Sequence, residues 1–575
     1  MSDETVGLIK EEASNMRHFN ILIGGSAGQG IDTLSSSIEK TLHKMGYYIF
    51  SNKDYESRVR GGHNFTQIRF GNLPLYIHSD NLDMLVALNE EAIETHKERL
   101  SEGGIILCDE GIASEEATVV PLPLRRIAKQ IGNAMVANTV AFGTVCKLVG
   151  LDIEIAKDII SANFGEEYAE VNLEAFEEGY GMLQQRFNLE EPPEKNQMLL
   201  NSNQAIALGA LAGGVMFYAA YPMTPSTGIL TYLAAKTMET DLIVEQAEDE
   251  IAAIQMALGA SYAGVRAMTG TSGGGFALMV EALSLAGMIE TPIVIVDSQR
   301  PGPATGFPTR TEQGDLSFVL NAGHGEFPRM VIAVRNPEDA FYQTVRALNL
   351  ADEFQIPVII LTDQHLADSN QTVDKFDMSR VRIERHISDF AVLAEYGDYR
   401  RYRLTETGVS PRIIPGKYEN QTVLVDSDEH DELGHIVEDA DTRIKMVNKR
   451  LGKMALLKKK VMEPNYYGTD SPEILLIGWG STEGALREAV EIINGQGGQS
   501  GALVFGDIWP LPTSMLEKYS KDAKIVVNVE QNATGQLGRL IRQETGFLMD
   551  RSILKYDGRQ LNAEEIVKRL NEEVL

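Results

Sequence analysis

The sequence predicts an α/β protein built from three open α/β units, and three observations carry that reading. Apolar runs of strand length alternate with helix-length amphipathic stretches along most of the chain, as in βα repeats around parallel sheets. Glycine-rich turns stand where such a run hands over to a helix, at 24–30, 271–275 and 478–480. A chain of 575 residues is also long enough for three or four domains.

Residues 1–16 read as a mixed-charge tail without an apolar stretch, so no signal peptide is expected. The first unit, 17–187, opens with a strand at 19–23, the turn Gly24-Gly25-Ser26-Ala27-Gly28-Gln29-Gly30 and a helical pattern over 31–45. Strand, glycine-rich turn, helix is the layout that cradles phosphate. Segments 85–88 and 104–108 read as further strands, 125–132 and 153–162 as helices. The acidic stretch 166–178, and then 188–196 with Pro192-Pro193, predict a solvated interdomain linker, placed at 188–196. The second unit, 197–385, alternates helices with strands at 242–245, 266–269, 293–297, 329–333 and 358–362, which predicts a doubly wound parallel sheet. Residues 386–465 read as an irregular connecting arm ending in a polar helix. The third unit, 466–575, has strands at 473–478, 500–505 and 524–529 and a helix at 482–493.

Composition narrows the function. Asp and Glu number 82 against 52 Lys and Arg, a formal charge of −30, and such a surface repels nucleic acid and anionic membranes. Only Cys108 and Cys146 are present, too few for a four-thiolate iron–sulfur cluster, and they are expected to be buried thiols of a cytoplasmic protein. The uncharged run 197–235 has the length of a membrane span, but Asn201, Asn203 and its prolines favour a buried helix of a soluble domain.

Four segments of the second unit carry chemistry. In Tyr221-Pro222-Met223-Thr224-Pro225-Ser226-Thr227 the prolines fix two φ angles and bias Tyr221 and Thr224 away from helix. Pro225 is then expected at the first helical position with Thr224 as N-cap, its hydroxyl beside unpaired backbone N–H groups. Glu250 heads a helix in which Ala253, Ile254 and Ala257 share its face, so its carboxyl would be desolvated. Asp249 faces Ala252, Ala253 and Met256, and periodicity does not choose between the two acids. Thr271-Ser272-Gly273-Gly274-Gly275 is another strand-to-helix turn. The loop 300–315 lies beyond a strand's carboxyl end, the usual place for ligands in such sheets. Within it Arg310 offers a bidentate fork for a carboxylate, or a partner for Glu312 or Asp315. In the first unit, 51–63 sets three cations and His63 around Gly61-Gly62, which suits either an anionic ligand or a salt-bridged loop. The acidic run 426–439, with His430 and His435, fits no metal-ligand spacing, so a structural arm is expected and no metal ligand is assigned to this chain.

Taken together, Tyr221-Pro-Met-Thr-Pro-Ser, Glu250 with the following Ala-Leu-Gly-Ala-Ser-Tyr-Ala-Gly, Thr271-Ser-Gly-Gly-Gly and Pro308-Thr-Arg-Thr-Glu-Gln resemble the alpha subunit of 2-oxoacid:ferredoxin oxidoreductases. The first unit resembles that family's gamma subunit, fused in front, and the third its transketolase C-terminal-like domain. The loop at 308–313 and the arm around 427–435 are most similar to the 2-oxoglutarate branch.

The resemblance implies a pyrimidine-type thiamine diphosphate domain in which Glu250 contacts N1′ of the aminopyrimidine. Tyr221, Pro222, Thr271 and Ser272 would join it around the cofactor. Thr224 would lie near the thiazolium and the substrate, and Arg310 would hold the 2-oxoacid carboxylate. Arg60 aligns with a basic residue reaching toward the substrate. The implied reaction takes 2-oxoacid, CoA and oxidised ferredoxin to acyl-CoA, CO2 and reduced ferredoxin. The family's Mg2+ and [4Fe-4S] determinants are missing from this sequence. A separate beta subunit would supply both and dock ferredoxin, in an (alpha-beta)2 assembly. Two other readings compete: a non-catalytic assembly subunit, and a dinucleotide-binding oxidoreductase built on the first unit. Ser51-Asn52-Lys53, where a ribose-binding acid is needed, weighs against the latter.

Overall fold

The computed structural model describes residues 16–57, 61–114, 116, 118–193, 196–389 and 398–574. It divides into two compact units, one of 1–200 with Ser369–Lys375 and one of Asn201–Asp368 with Phe376–Leu575.

The first unit is one eight-stranded sheet. Its order is Val119–Leu122, Leu100–Asp109, Leu82–Ala87, His18–Ala27, Gly61–Gly71, Tyr48–Asp54, Asn370–Asp374 and Gln197–Leu200. The first four strands are parallel, and the last four join antiparallel. The strands Tyr48–Asp54 and Gly61–Gly71 extend into the segment 51–63, which the sequence offers as a polar loop. Their polar side chains hide that pattern because they are satisfied inside: Gln67 Nε2 donates to Asn20 Oδ1 at 3.1 Å and Arg69 Nη1 to Ile77 O at 2.8 Å.

The acidic stretch 166–178 is not linker. It is the second half of the helix Ile153–Tyr180, which breaks its dihedrals only at Gly165. Its buried residues, Ala175 and Phe176, pack with Phe142 of the helix Ala137–Val149. A Cβ on Gly143 or Gly179 would run into the other helix's backbone, at Phe176 O and Val140 O respectively. Gly179→Val is therefore expected to destabilise the first unit by about 1–3 kcal/mol through overpacking, read as a lower midpoint in urea unfolding.

The second unit holds two sheets. The larger has the order Asp507–Trp509, Met330–Ala333, Pro357–Asp363, Ile293–Gln299, Arg266–Thr271, Val215–Ala220 and Ile243–Gln246, parallel except for its first strand. The smaller runs Asn465–Gly468, Ser500–Phe505, Ile474–Trp479, Ile525–Glu530 and Arg551–Leu554. Ile295, Val331, Ile359, Trp479 and Phe505 belong to one buried core, so the two sheets share it. The strand Asp507–Trp509 also crosses to pair with Met330–Ala333.

In the arm, Glu429 receives Arg450 at 2.8 Å and also pairs with Arg443, and the His430 ring lies 3.9 Å from that of Tyr402. Arm and helix Ala440–Leu457 are thus stapled to each other. Both cysteines are buried, and among the described residues no helix is long and apolar enough to cross a membrane.

Candidate active site

The residues singled out in the second unit converge at the carboxyl ends of Val215–Ala220, Arg266–Thr271 and Ile293–Gln299. Their meeting follows from the topology, since these three strands are parallel neighbours and their carboxyl ends share one edge.

Asp249 and Glu250 part company there. Asp249 is the N-cap of the helix Glu250–Tyr262, its side chain accepting from Ala252 N at 2.8 Å. Glu250 turns inward and is 3 % exposed. Its Oε1 accepts from Thr271 Oγ1 at 3.4 Å. Gly275, in the first turn of the helix Gly273–Met288, leaves the space this carboxyl needs, because a Cβ there would collide with both Glu250 Oε1 and Thr271 Oγ1. Thr271 and Ser272 are wholly buried, and Ser272 Oγ has no hydrogen-bond partner among the described residues.

The 221–227 loop arrives from the other side. Met223 Sδ lies 3.9 Å from Thr271 Oγ1, which ties the loop to the Glu250 pair. Asn203 Nδ2 holds Pro225 O at 2.9 Å. Tyr221 is exposed, and Pro222 and Thr224 are half-buried. Thr224 is not the N-cap: the helix begins later, at Thr227–Lys236, with Ser226 before it and no side-chain cap. Thr227 N instead donates to Met223 O at 3.1 Å. The loop keeps two more residues of irregular chain than the capping rule predicts, with Asn203 on Pro225 O and Arg300 on Thr224 O.

One of those side chains was not chosen from the sequence. Arg300 Nη1 donates to Thr224 O at 2.8 Å. That bond is the one Arg300 makes among the described residues, so its other donors remain open. The Cβ and Cγ of Arg310 lie beside Gly558, its Nη1 donates to Thr309 O at 3.5 Å, and the next residue, Thr311, donates from N to Gly558 O at 3.2 Å. Gln313 continues that docking, with Nε2 on Trp479 O at 2.7 Å. Position directly after the strand Ile293–Gln299 is the signal that would have favoured Arg300, since a residue there cannot leave the sheet edge. Arg60 lies outside the described residues.

Three carboxyls line the same edge. Burial, then the charge of Asp315, raises the Asp297 carboxyl well above its ordinary range. Burial lifts Asp315 to about 6, with Arg300 pulling the other way. Burial, then Asp315, lifts Glu312 to about 7.

The first unit carries a separate cavity of about 750 Å³ at its glycine-rich turn. Gly28 and Gly30 have φ of 89° and 81°, which glycine adopts without strain. Asn138 Nδ2 holds Gln29 O at 2.6 Å, and Gly30 precedes the helix Ile31–Met45. Arg125 and Lys129 also line it.

Residues 208–449 match the family described as pyruvate flavodoxin/ferredoxin oxidoreductase, thiamine diP-bdg. Residues 20–182 match pyruvate ferredoxin/flavodoxin oxidoreductase, and 472–566 match pyruvate:ferredoxin oxidoreductase core domain II. A Sulfolobus 2-oxoacid:ferredoxin oxidoreductase subunit alpha is 33% identical over 96% of this chain and 96% of its own. The 2-oxoglutarate oxidoreductase subunit KorA of Mycobacterium tuberculosis is 28% identical over 95% of this chain and 90% of its own. Among solved structures, a 2-oxoglutarate:ferredoxin oxidoreductase from Magnetococcus marinus, with 2-oxoglutarate, coenzyme A and succinyl-CoA bound, superposes with a TM-score of 0.91. It is 33% identical and covers 98% of this chain and 100% of its own.

Proposed function

This chain belongs to the family of 2-oxoacid:ferredoxin oxidoreductase alpha subunits, and from that premise we propose that it serves a 2-oxoglutarate:ferredoxin oxidoreductase. The reaction is the CoA-dependent oxidative decarboxylation of 2-oxoglutarate to succinyl-CoA and CO2 with ferredoxin as acceptor, reversible in principle. The observation that carries this reading is the meeting of Glu250, Thr271, Thr224 and Arg300 at one sheet edge. The 2-oxoglutarate bound in the Magnetococcus marinus structure supports the substrate. The broader 2-oxoacid name of the Sulfolobus relative supports the runner-up, a wider substrate range.

The residues present fit thiamine diphosphate: a buried carboxyl, a glycine cradle beside it and an orphaned serine hydroxyl. Bound there, the cofactor would supply a nucleophilic carbon and an electron sink for the loss of CO2 from a 2-oxoacid. Glu250 would face the aminopyrimidine nitrogen, and its buried setting would keep water from competing for that bond. Tyr221, Pro222, Thr271 and Ser272 shape the pocket around that ring. The Thr224 hydroxyl orients the 2-oxo group. Arg300, with open donors beside Thr224, receives a substrate carboxylate as a bidentate fork. Arg310 would share that carboxylate, the role the family resemblance gives it.

The first unit's cavity, lined also by Arg125 and Lys129, suits coenzyme A, whose phosphates fit a glycine turn at a helix N-terminus. With two buried cysteines, this chain leaves the [4Fe-4S] cluster and the Mg2+ to a beta subunit, which also meets ferredoxin, in an (alpha-beta)2 assembly of the cytoplasm. The exposed Tyr221, Ile243, Ile251 and Phe307 fit a face covered by that subunit.

The test is co-expression with the beta subunit, followed by CoA-dependent reduction of ferredoxin with a panel of 2-oxoacids. Turnover with 2-oxoglutarate is expected, and Arg300→Ala should lower kcat/KM by about 10²–10³-fold as a charge-assisted fork is lost. Preference for pyruvate would move the substrate. No turnover from an intact complex with filled clusters would favour an assembly subunit.

A further inference from the structure

The loop 300–315 leaves the carboxyl edge of the larger sheet and reaches that of the smaller one, where three glutamine amides hold it. The strands Ile474–Trp479 and Ile525–Glu530 are parallel neighbours, so their carboxyl ends bring Trp479 and Gln531 to one edge. Gln313 binds both. Its backbone N–H donates to Gln531 O at 2.7 Å, its Nε2 donates to Trp479 O at 2.7 Å, and its Oε1 accepts from Gln531 N at 3.1 Å. Gln531 passes the chain on, with Nε2 donating to Gln560 Oε1 at 2.6 Å and Oε1 accepting from Leu561 N at 2.6 Å. Gln560 Nε2 ends it on Ser481 O at 3.0 Å. All three side chains are buried. Each amide nitrogen donates to a carbonyl oxygen and each amide oxygen accepts an N–H, so the orientation of all three is fixed.

The same docking reaches Arg310. Thr311 N donates to Gly558 O at 3.2 Å, and a Cβ on Gly558 would lie 3.0 Å from Arg310 Cβ and 3.3 Å from Phe307 Cδ2. Gln536 ties the loop's end, its Nε2 donating to Gly314 O at 2.7 Å and its Oε1 accepting from Ser317 N at 2.7 Å. A fully satisfied buried amide network specifies one arrangement, because a shift of the loop would strand several polar groups at once.

We propose that Gln313 is a positioning residue for the substrate carboxylate: through Gln531 and Gln560 it fixes the Arg310 segment on the smaller sheet, and that is the sheet's part in substrate affinity. The inference rests on the functional reading above, in which Arg310 shares the carboxylate.

The experiment uses the complex assembled with the beta subunit. Its readouts are kcat, KM for 2-oxoglutarate and for CoA, thiamine content, and the calorimetric Kd of glutarate, a dicarboxylate without the reacting oxygen. Gln313→Met conserves volume and removes the two side-chain bonds, while Trp479 O keeps its bond from Thr482 Oγ1 at 2.8 Å. KM for 2-oxoglutarate and the glutarate Kd should rise about tenfold, with kcat within about twofold and KM for CoA and thiamine content unchanged. Gly558→Ala presses on Arg310 without touching an amide and should give the same split. Gln313→Met combined with Gln560→Met should raise KM by less than the product of the two single effects, since the chain is already broken. Ile541→Val, in the core beneath the smaller sheet, is the control: it should lower the urea midpoint and leave KM at the wild-type value. Wild-type KM and Kd in Gln313→Met, or kcat and thiamine content falling as far as affinity does, would overturn the proposal. Should Gln313→Met not assemble, wild-type affinity in Gly558→Ala would do the same. A wild-type complex that turns over no 2-oxoacid would instead remove the functional reading.

Discussion

Glu250→Gln is expected to lower 2-oxoacid-dependent ferredoxin reduction by about 10²–10⁴-fold, the range for losing a positioned acid–base group. The substitution conserves volume. Thr271 Oγ1 can still donate to the remaining carbonyl oxygen, and Gly275 still leaves room for the amide. Folding should therefore be preserved, with the urea midpoint within error of wild type. What disappears is a group that can share a proton with the cofactor's ring. Steady-state kcat, measured with thiamine content and cluster content on the same sample, separates lost chemistry from lost loading. A variant that keeps more than a tenth of wild-type kcat with full loading would show that Glu250 is not the proton-holding group.

The second large effect concerns stability. Glu290→Gln should destabilise the second unit by about 3–5 kcal/mol, the cost of breaking a buried charge cluster from one side. Glu290 is 1% exposed and pairs with Lys449 at 2.5 Å and with Lys453, both buried as deeply. Arg401 adds a bond to the Glu290 backbone, Nη2 to O at 2.6 Å. Burial alone would push the Glu290 carboxyl up, but Lys449, Lys453 and Arg401 hold it well below the usual carboxylate range. A depressed carboxylate stabilises above its unfolded pKa, and that contribution fades as pH falls through the lower, folded value. The difference between wild type and Glu290→Gln should then be full at pH 7 and shrink only in strong acid. Urea unfolding at several pH values measures it. Replacing Glu290, Lys449 and Lys453 together by Leu, Met and Met should recover part of the loss, because the two lysine charges are removed with the carboxylate while Arg401 keeps its bonds to Gln355 Oε1 and Glu290 O.

These two acids also mark what a sequence can and cannot reveal. Glu250 was visible through its helical neighbours Ala253, Ile254 and Ala257, a local pattern. The choice between it and Asp249 was not, because both face small apolar residues within one turn; the N-cap hydrogen bond of Asp249 decided it. Glu290 gave no signal, since its two lysines lie about 160 residues away on the helix Ala440–Leu457. The acidic stretch 166–178 misled for a related reason. Charge suggested solvent, while the small residues Gly143 and Gly179, far apart in sequence, let two helices touch.

By itself the sequence determined the α/β class, the alternation that builds a parallel sheet, and the glycine turns at the sheet's carboxyl edge. All of these are read within a dozen residues, where dihedral preference and burial periodicity act. It also supplied the motif set that identified the family. Tertiary structure alone decided that Arg300 meets Thr224, that the stem of Arg310 lies beside Gly558, and that the two sheets of the second unit share a core. Those are meetings between segments distant along the chain, and only the packing of parallel strands brings their ends to one edge.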